Sequence, residues 1–297
     1  MIRSLSIVVL LALGSALAAP AALHAQAQEP LRIIAFGAHP DDCEIRAGGT
    51  AAKWAALGHK VRFVSVTNGD AGHHEEGGGQ LAMRRRAEAE EAGRRIGIEY
   101  IVLDNHDGEL VTSLGVREQI IRQIRQWKAD LVLAPRPNDY HPDHRYTGVL
   151  LQDAAFMVTV PNIAPDTPAL RKNPVFLYFE DGFQKPAPFS PDIAVAIDDV
   201  FDKKIDMLDA HVSQVYEWLP WHAGRLDQVP ADPPARKAWL KGQRGRATVS
   251  PALRASLVKW YGEQAGGAVR QAEAFEICEY GTRPDEAMIR RLFPFLK

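Results

Sequence analysis

The chain has 297 residues, with 35 basic and 37 acidic side chains, 46% hydrophobic content and 24% charged content. That balance excludes a polybasic binder of nucleic acid or of anionic membrane and excludes a disordered chain. It leaves enough length for a large soluble core.

The opening segment, "MIRSLSIVVLLALGSALAAPAALHAQAQEP", starts with Arg3, continues as an apolar stretch from Leu5 to Ala18, and ends in small residues, "AQA" at Ala25 to Ala27. That is the order of parts in a secretory signal peptide, and the stretch is short for a membrane span of ~20 residues. The expectation is a signal peptide over 1–27, cut after Ala27 with Ala22 and Ala25 as alternatives, and a mature chain that is periplasmic or extracellular with no stable membrane insertion. Residues 28–297 read as a single domain, because no repeat or linker divides them. An oxidising compartment would allow Cys43 and Cys278 to pair. Cys43 lies in a turn that a staple would constrain, so free, packed thiols are expected.

Strand-like and helix-like segments then alternate. "LRIIAFGA" (Leu31 to Ala38) is an apolar run ending in small residues, followed by a helical segment from Arg46 to His59 with a Gly58 stop. "KVRFVSVTNG" (Lys60 to Gly69) is a second strand, Gln80 to Ile96 a charged helix, and "EYIVLD" (Glu99 to Asp104) a third strand. Val116, Ile120, Ile124 and Trp127 form the stripe of an amphipathic helix. "ADLVLAP" (Ala129 to Pro135) is the fourth strand, and Pro174 to Glu180 and Asp192 to Asp198 are two more. From Asp199 to Leu219 the apolar spacing predicts one long helix. The Pro- and Gly-rich piece after it reads as a surface insertion that shapes the site entrance. This pattern predicts an α/β fold, a Rossmann-like doubly wound, mostly parallel sheet with helices on both faces.

Ligands of such sheets bind beyond the carboxyl ends of the strands. "FGAHPDDCEIRAGG" places His39, Asp41 and Asp42 just after strand one, and "RPNDYHPDHRYTG" places His141, Asp143 and His144 just after strand four. His39, Asp42 and either His141 or His144 supply a three-ligand metal site with one position open. A dication would offset the repulsion between Asp41 and Asp42, leaving one carboxylate free as a base. Taken singly, each cluster also reads as a helix start, capped by Asp41 or Asp42 and by Asp143. The turn after strand one lacks G-x-G-x-x-G, and the chain lacks G-x-S-x-G, which argues against a dinucleotide fold and a serine hydrolase.

"AHPDD" followed by "GGT", "GHKV", "TNGDAG" and "HPDH", in order from Ile33 to His144, resembles the PIG-L/LmbE-like zinc-dependent de-N-acetylases, which remove acetyl groups from N-acetylglucosamine-containing molecules; "HVSQ" (His211 to Gln214) is a weaker echo. The resemblance implies Zn²⁺ held by His39, Asp42 and His144, with Asp41 as general base and His141 steadying the oxyanion or protonating the leaving amine. It further implies Arg85, in an R-x-x-E setting with Glu88 and with Arg84 and Arg86 as neighbouring alternatives, and Asp107 as substrate-binding residues, and a small-molecule or glycan substrate. Two positions depart from the family pattern: Cys43 follows "AHPDD", and the family's tyrosine has only Tyr140 as a counterpart. His73 and His74 read as part of an active-site loop, and Trp218, Trp221 and Trp239 as sugar-stacking or anchoring residues. Two other functions share some of these features: an exported sugar-binding module with a structural metal, and a non-haem Fe(II) oxygenase.

Overall fold

The computed structural model describes residues 29–246 and 248–297. The proposed signal segment lies outside the described residues, among which no helix is long and apolar enough to cross a membrane.

Strands β1 (Arg32–Gly37), β2 (Lys60–Thr67), β3 (Glu99–Asn105), β4 (Leu131–Ala134), β5 (Val175–Phe179), β6 (Ile193–Ala196) and β7 (Ala272–Gly281) form one sheet in the order β3-β2-β1-β4-β5-β7-β6. All neighbours pair in parallel except β7, which is antiparallel to both β5 and β6. The sheet is therefore α/β and mostly parallel, as the alternating pattern predicts. Strand order reverses between β1 and β4, and such a switch point opens a crevice at the carboxyl ends of those two strands.

The β1 alternation fixes the layers. Ile33 and Ala35 pack with Ala47, Ala51 and Trp54 of α1 (Asp42–Ala56) and with Ala89 and Ala92 of α2 (Gly78–Ile96). On the other face, Ile34 and Phe36 meet Ile120, Ile121 and Ile124 of α3 (Leu114–Trp127) and Leu150, Leu151 and Ala154 of α4 (Pro142–Met157). Cys43 is buried in the first layer and Cys278 in the second, both as free thiols.

The long helix expected over 199–219 is interrupted. α5 (Phe201–Ala210) stops at His211, a π-helix runs over Ser213–Trp218, and α6 (Leu219–His222) follows. The cause is polar. His211 turns its Nε2 to Glu44 Oε1 at 2.6 Å, and the Ser213 N–H and hydroxyl donate to Glu88 at 3.0 and 2.6 Å, so backbone continuity gives way to buried partners. The Pro-rich piece is also more ordered than its composition suggests, holding α7 (Pro233–Arg244), capped by Asp232. Two further helices, α8 (Pro251–Ala268) and α9 (Glu286–Leu292), flank β7 in sequence.

Candidate active site

β1 ends in Gly37 because nothing larger fits: a Cβ there would lie 2.6 Å from Asp42 Cβ. The turn is held by Ala38 O, which accepts from Thr67 N and Thr67 Oγ1 at 2.8 Å each and from Ser65 Oγ at 3.2 Å. Asp41 adopts φ 131°, a conformation L-residues avoid, at a cost of about 1–3 kcal/mol. Although it is the N-cap residue of α1, its side chain makes no capping bond. Asp42 instead turns back and accepts from His39 N at 2.8 Å. The capping explanation of "HPDD" therefore does not describe this turn. At the second cluster the cap is His141, whose Nδ1 accepts from Asp143 N at 3.2 Å, and Asp143 faces inward, fully buried.

Three donor atoms converge between the clusters. His39 Nδ1 lies 3.2 Å from His144 Nε2 and 3.6 Å from Asp42 Oδ2, and His144 Nε2 lies 3.4 Å from Asp42 Oδ2. The opposite edge of each imidazole fixes its tautomer. His39 Nε2 sits 3.0 Å from Asp107 Oδ1 and 3.3 Å from Asp143 Oδ2, and His144 Nδ1 sits 3.1 Å from Asp139 Oδ2. Each of those nitrogens carries a proton, which leaves His39 Nδ1 and His144 Nε2 as the edges able to bind a metal; without one, burial lowers both imidazoles but the carboxylates around them outweigh it, raising both above their usual value and favouring a second proton. A dication taking the place of those second protons would hold all three donors together. A tetrahedral ion with bonds of about 2.0–2.1 Å sets its ligands about 3.3 Å apart, close to the three observed separations. Carboxylates behind metal-binding imidazoles are the usual support of such a site.

Two other groupings are spatially possible: His39, His141 and His144, and His39, Asp107 and Asp143, each set having one donor atom per residue within 4.8 Å. Neither suits an ion as well. His141 Nδ1 is engaged by the Asp143 N–H, while Asp143 already accepts from Gly108 N at 2.7 Å and Leu110 N at 3.3 Å.

The adjacent carboxylates differ in charge state. Burial pushes Asp42 up, but His144 and His39 outweigh it and hold Asp42 well below the usual range. Asp41 is pushed up to about 7, by burial first and by the negative charge of Asp42 second. His141 is lowered by burial and by the His39 and His144 charges, which keeps it neutral. With Nδ1 accepting, its proton resides on Nε2.

Arg85 and Asp107 lie behind these groups. Asp107 faces His39 on one oxygen and Arg85 Nη1 at 3.7 Å on the other; burial opposes its ionisation, yet these cations hold it at about 2. Arg85 is 1% exposed. Its guanidinium donates to Gly69 O at 2.7 Å, to Gly72 O and to Gln214 Oε1 at 2.7 Å, and so braces the glycine-rich loop. All three polar side chains of "HVSQ" thus bind residues beneath the site: His211 to Glu44, Ser213 to Glu88, Gln214 to Arg85. Asp70 accepts from His106 Nδ1 at 2.6 Å and Asp107 N at 3.0 Å and so positions that loop. His73 and Glu217 pair at 3.0 Å, while His74, Trp221 and Trp218 stack in a row. Trp239 instead packs near Tyr216, in the cluster that joins α7 to α5 and the π-helix. Tyr140 is 74% exposed at the rim, edge-on to His141 and His144. Asp139 and Asp143 are the supporting residues that sequence reading did not assign to the imidazoles. The available signal was their position within "NDYHPDH", two residues before and after His141.

Residues 34–155 match the family described as PIG-L, GlcNAc-PI de-N-acetylase. The diacetylchitobiose deacetylase of Thermococcus kodakarensis is 31% identical over 203 residues, 64% of this chain and 73% of that protein. The chain belongs to the PIG-L family. Among solved structures, the N,N'-diacetylchitobiose deacetylase of Pyrococcus horikoshii superposes with a TM-score of 0.61 at 28% identity, over 83% of each chain. A 4-carboxy-2-hydroxymuconate hydratase from Pseudomonas putida reaches the same TM-score of 0.61 at 19% identity, over 86% of this chain and 99% of its own. The PIG-L fold therefore does not dictate the reaction by itself, and function has to be argued from the site.

Proposed function

We propose that this protein is an exported, zinc-dependent hydrolase that removes the acetyl group from an N-acetylated sugar, giving acetate and a free amine. Family membership and the likeness to diacetylchitobiose deacetylases support deacetylation of a small sugar. The observation that carries the metal assignment is the convergence of His39 Nδ1, Asp42 Oδ2 and His144 Nε2 within 3.2–3.6 Å of one another, with carboxylates behind both imidazoles. Three protein ligands leave a coordination position open, which suits hydrolysis better than a structural metal. The order of parts in residues 1–27 supports export.

Bound there, zinc would supply Lewis acidity toward the acetamide and toward water. The chain's own groups do the rest. Asp41, buried beside Asp42 and poised near neutrality, takes the proton of the attacking water. His141, with its proton fixed on Nε2 by the Asp143 N–H, donates a hydrogen bond to the carbonyl oxygen as charge develops, and Asp41 returns the proton it took from water to the departing nitrogen. Asp107, Asp143 and Asp139 hold the imidazoles at their working angles. Incubating the zinc-loaded protein with a panel of N-acetylated mono- and disaccharides should release acetate and primary amine in equal amounts from at least one. A panel yielding neither product would reject the reading.

A further inference from the structure

The cations around the metal centre are mostly occupied. Arg85 is spent on Gly69, Gly72 and Gln214; Arg136 makes a two-pronged pair with Asp181 at 2.6 and 2.7 Å; Lys204 pairs with Glu273 at 2.7 Å. Two guanidinium groups differ. Arg46 and Arg244 are both half-buried, and among the described residues neither has a carboxylate oxygen within 4.0 Å or a hydrogen-bond acceptor.

Their placement is specific. Arg46 lies one turn after Asp42 on α1, and lines a small cavity with Gly37, Asp42, Arg136, His144 and Glu180. Arg244 ends α7 one turn after Leu240, on the same face. Leu240 belongs to a cluster that packs against Ile45, the residue beside Arg46. Arg244 lies within electrostatic range of both Asp41 and Arg46, although burial is what lowers it most. A half-buried guanidinium left without an acceptor is costly unless an anion joins it, and a like charge within electrostatic range adds to that cost. Glu180 shares the cavity, but burial raises its carboxyl, and it stands beyond ion-pair distance of Arg46.

We propose that Arg46 and Arg244 form a binding site for an anionic group of the substrate, so that the sugar deacetylated here also carries a carboxylate or a phosphate. This rests on the deacetylase reading and narrows its substrate class. The planar forks of two arginines suit either oxyanion.

The test compares N-acetylglucosamine, N-acetylmuramic acid (a carboxylate) and N-acetylglucosamine 6-phosphate on the zinc-loaded protein. Binding is followed by calorimetry in an Asp41→Asn background, where turnover is suppressed, and kcat/KM is measured in the wild type. At least one anionic sugar should exceed the neutral one by roughly tenfold or more in both measurements. Its identity separates carboxylate from phosphate. Arg46→Gln and Arg244→Gln should each bring the anionic-to-neutral ratio toward one, whereas Arg46→Lys, which keeps the charge, should retain part of it. A ratio near one in the wild type, or an unchanged ratio in both glutamine variants, would overturn the proposal. Anion-selective binding without acetate release from any sugar would leave the arginine site standing and remove the deacetylase reading instead.

Discussion

Asp139→Asn is a nearly isosteric change that should disable the metal site by moving one proton. In the wild type Asp139 accepts twice, from His141 N at 2.9 Å through Oδ1 and from His144 Nδ1 at 3.1 Å through Oδ2. An amide can accept through only one of its two ends. If its oxygen stays on His141 N, its NH₂ faces His144 Nδ1, which must then accept, and the imidazole proton shifts to Nε2. That places an N–H where the lone pair is needed, 3.4 Å from Asp42 and 3.2 Å from His39 Nδ1. If the amide flips, its NH₂ opposes the His141 N–H and the turn loses a bond worth about 1–3 kcal/mol. Either outcome weakens the metal. Loss of such a supporting carboxylate typically lowers affinity by roughly 10- to 100-fold, or about 1.4 to 2.7 kcal/mol. Competition against a chromophoric zinc chelator measures this directly, with a thermal melt of the metal-free protein as the check that the fold survives. Zinc affinity in Asp139→Asn equal to that of the wild type would refute the tautomer argument.

Other residues give independent tests. Asp41→Asn should keep zinc while turnover falls by roughly 10²-fold or more; acetate release at a near-normal rate would reduce Asp41 to a turn residue. Gly37→Ala places a methyl group against Asp42, 2.6 Å from its Cβ, and should lower zinc content in the purified protein, read by elemental analysis. Arg125 is 2% exposed and donates to six carbonyls, those of Met157, Val158, Val160, Ile163, Ala164 and Thr167; Arg125→Met should cost about 3–5 kcal/mol in urea unfolding, and a loss below 1 kcal/mol would contradict the account. His211 is raised above its usual value because the Glu44 carboxylate, helped by Asp41 and Glu88, outweighs burial. Its contribution is thus fully present below pH ~6.5 and is lost as pH rises through the higher folded value. His211→Gln should accordingly flatten the decline in stability between pH 6 and pH 9, in paired denaturation curves, and parallel curves for the two proteins would count against it.

The part of this molecule legible in its sequence is the part governed by short-range pattern. Apolar runs punctuated by "GAHPDD" and "RPNDYHPDH" locate β1 and β4, and the switch point brings His39, Asp42, His141 and His144 to one edge. What sequence pattern does not carry is partner choice across long separations. The helix expected to Leu219 breaks at His211 because Glu44, 167 residues away, offers a buried carboxylate. Strand β7 has an unusual inward residue, Glu273, tolerated only because Gly49 N, Thr50 N, Thr50 Oγ1 and Lys204 Nζ all meet its carboxylate. Composition likewise marks the stretch around Pro233 as loop, whereas a cap at Asp232 and the burial of Leu240 make it a helix that ends in Arg244. Arg85 presents another limit. Its spacing suits substrate contact, and its guanidinium is buried against backbone carbonyls.

The ligand set is most directly tested by anomalous diffraction at the zinc absorption edge from crystals of the zinc-loaded protein. The account predicts one strong peak about 2.0–2.2 Å from His39 Nδ1, Asp42 Oδ2 and His144 Nε2, with Asp41 and His141 outside bonding distance. A peak bonded instead to His39 Nε2, Asp107 and Asp143, or to His141 in place of Asp42, would contradict it.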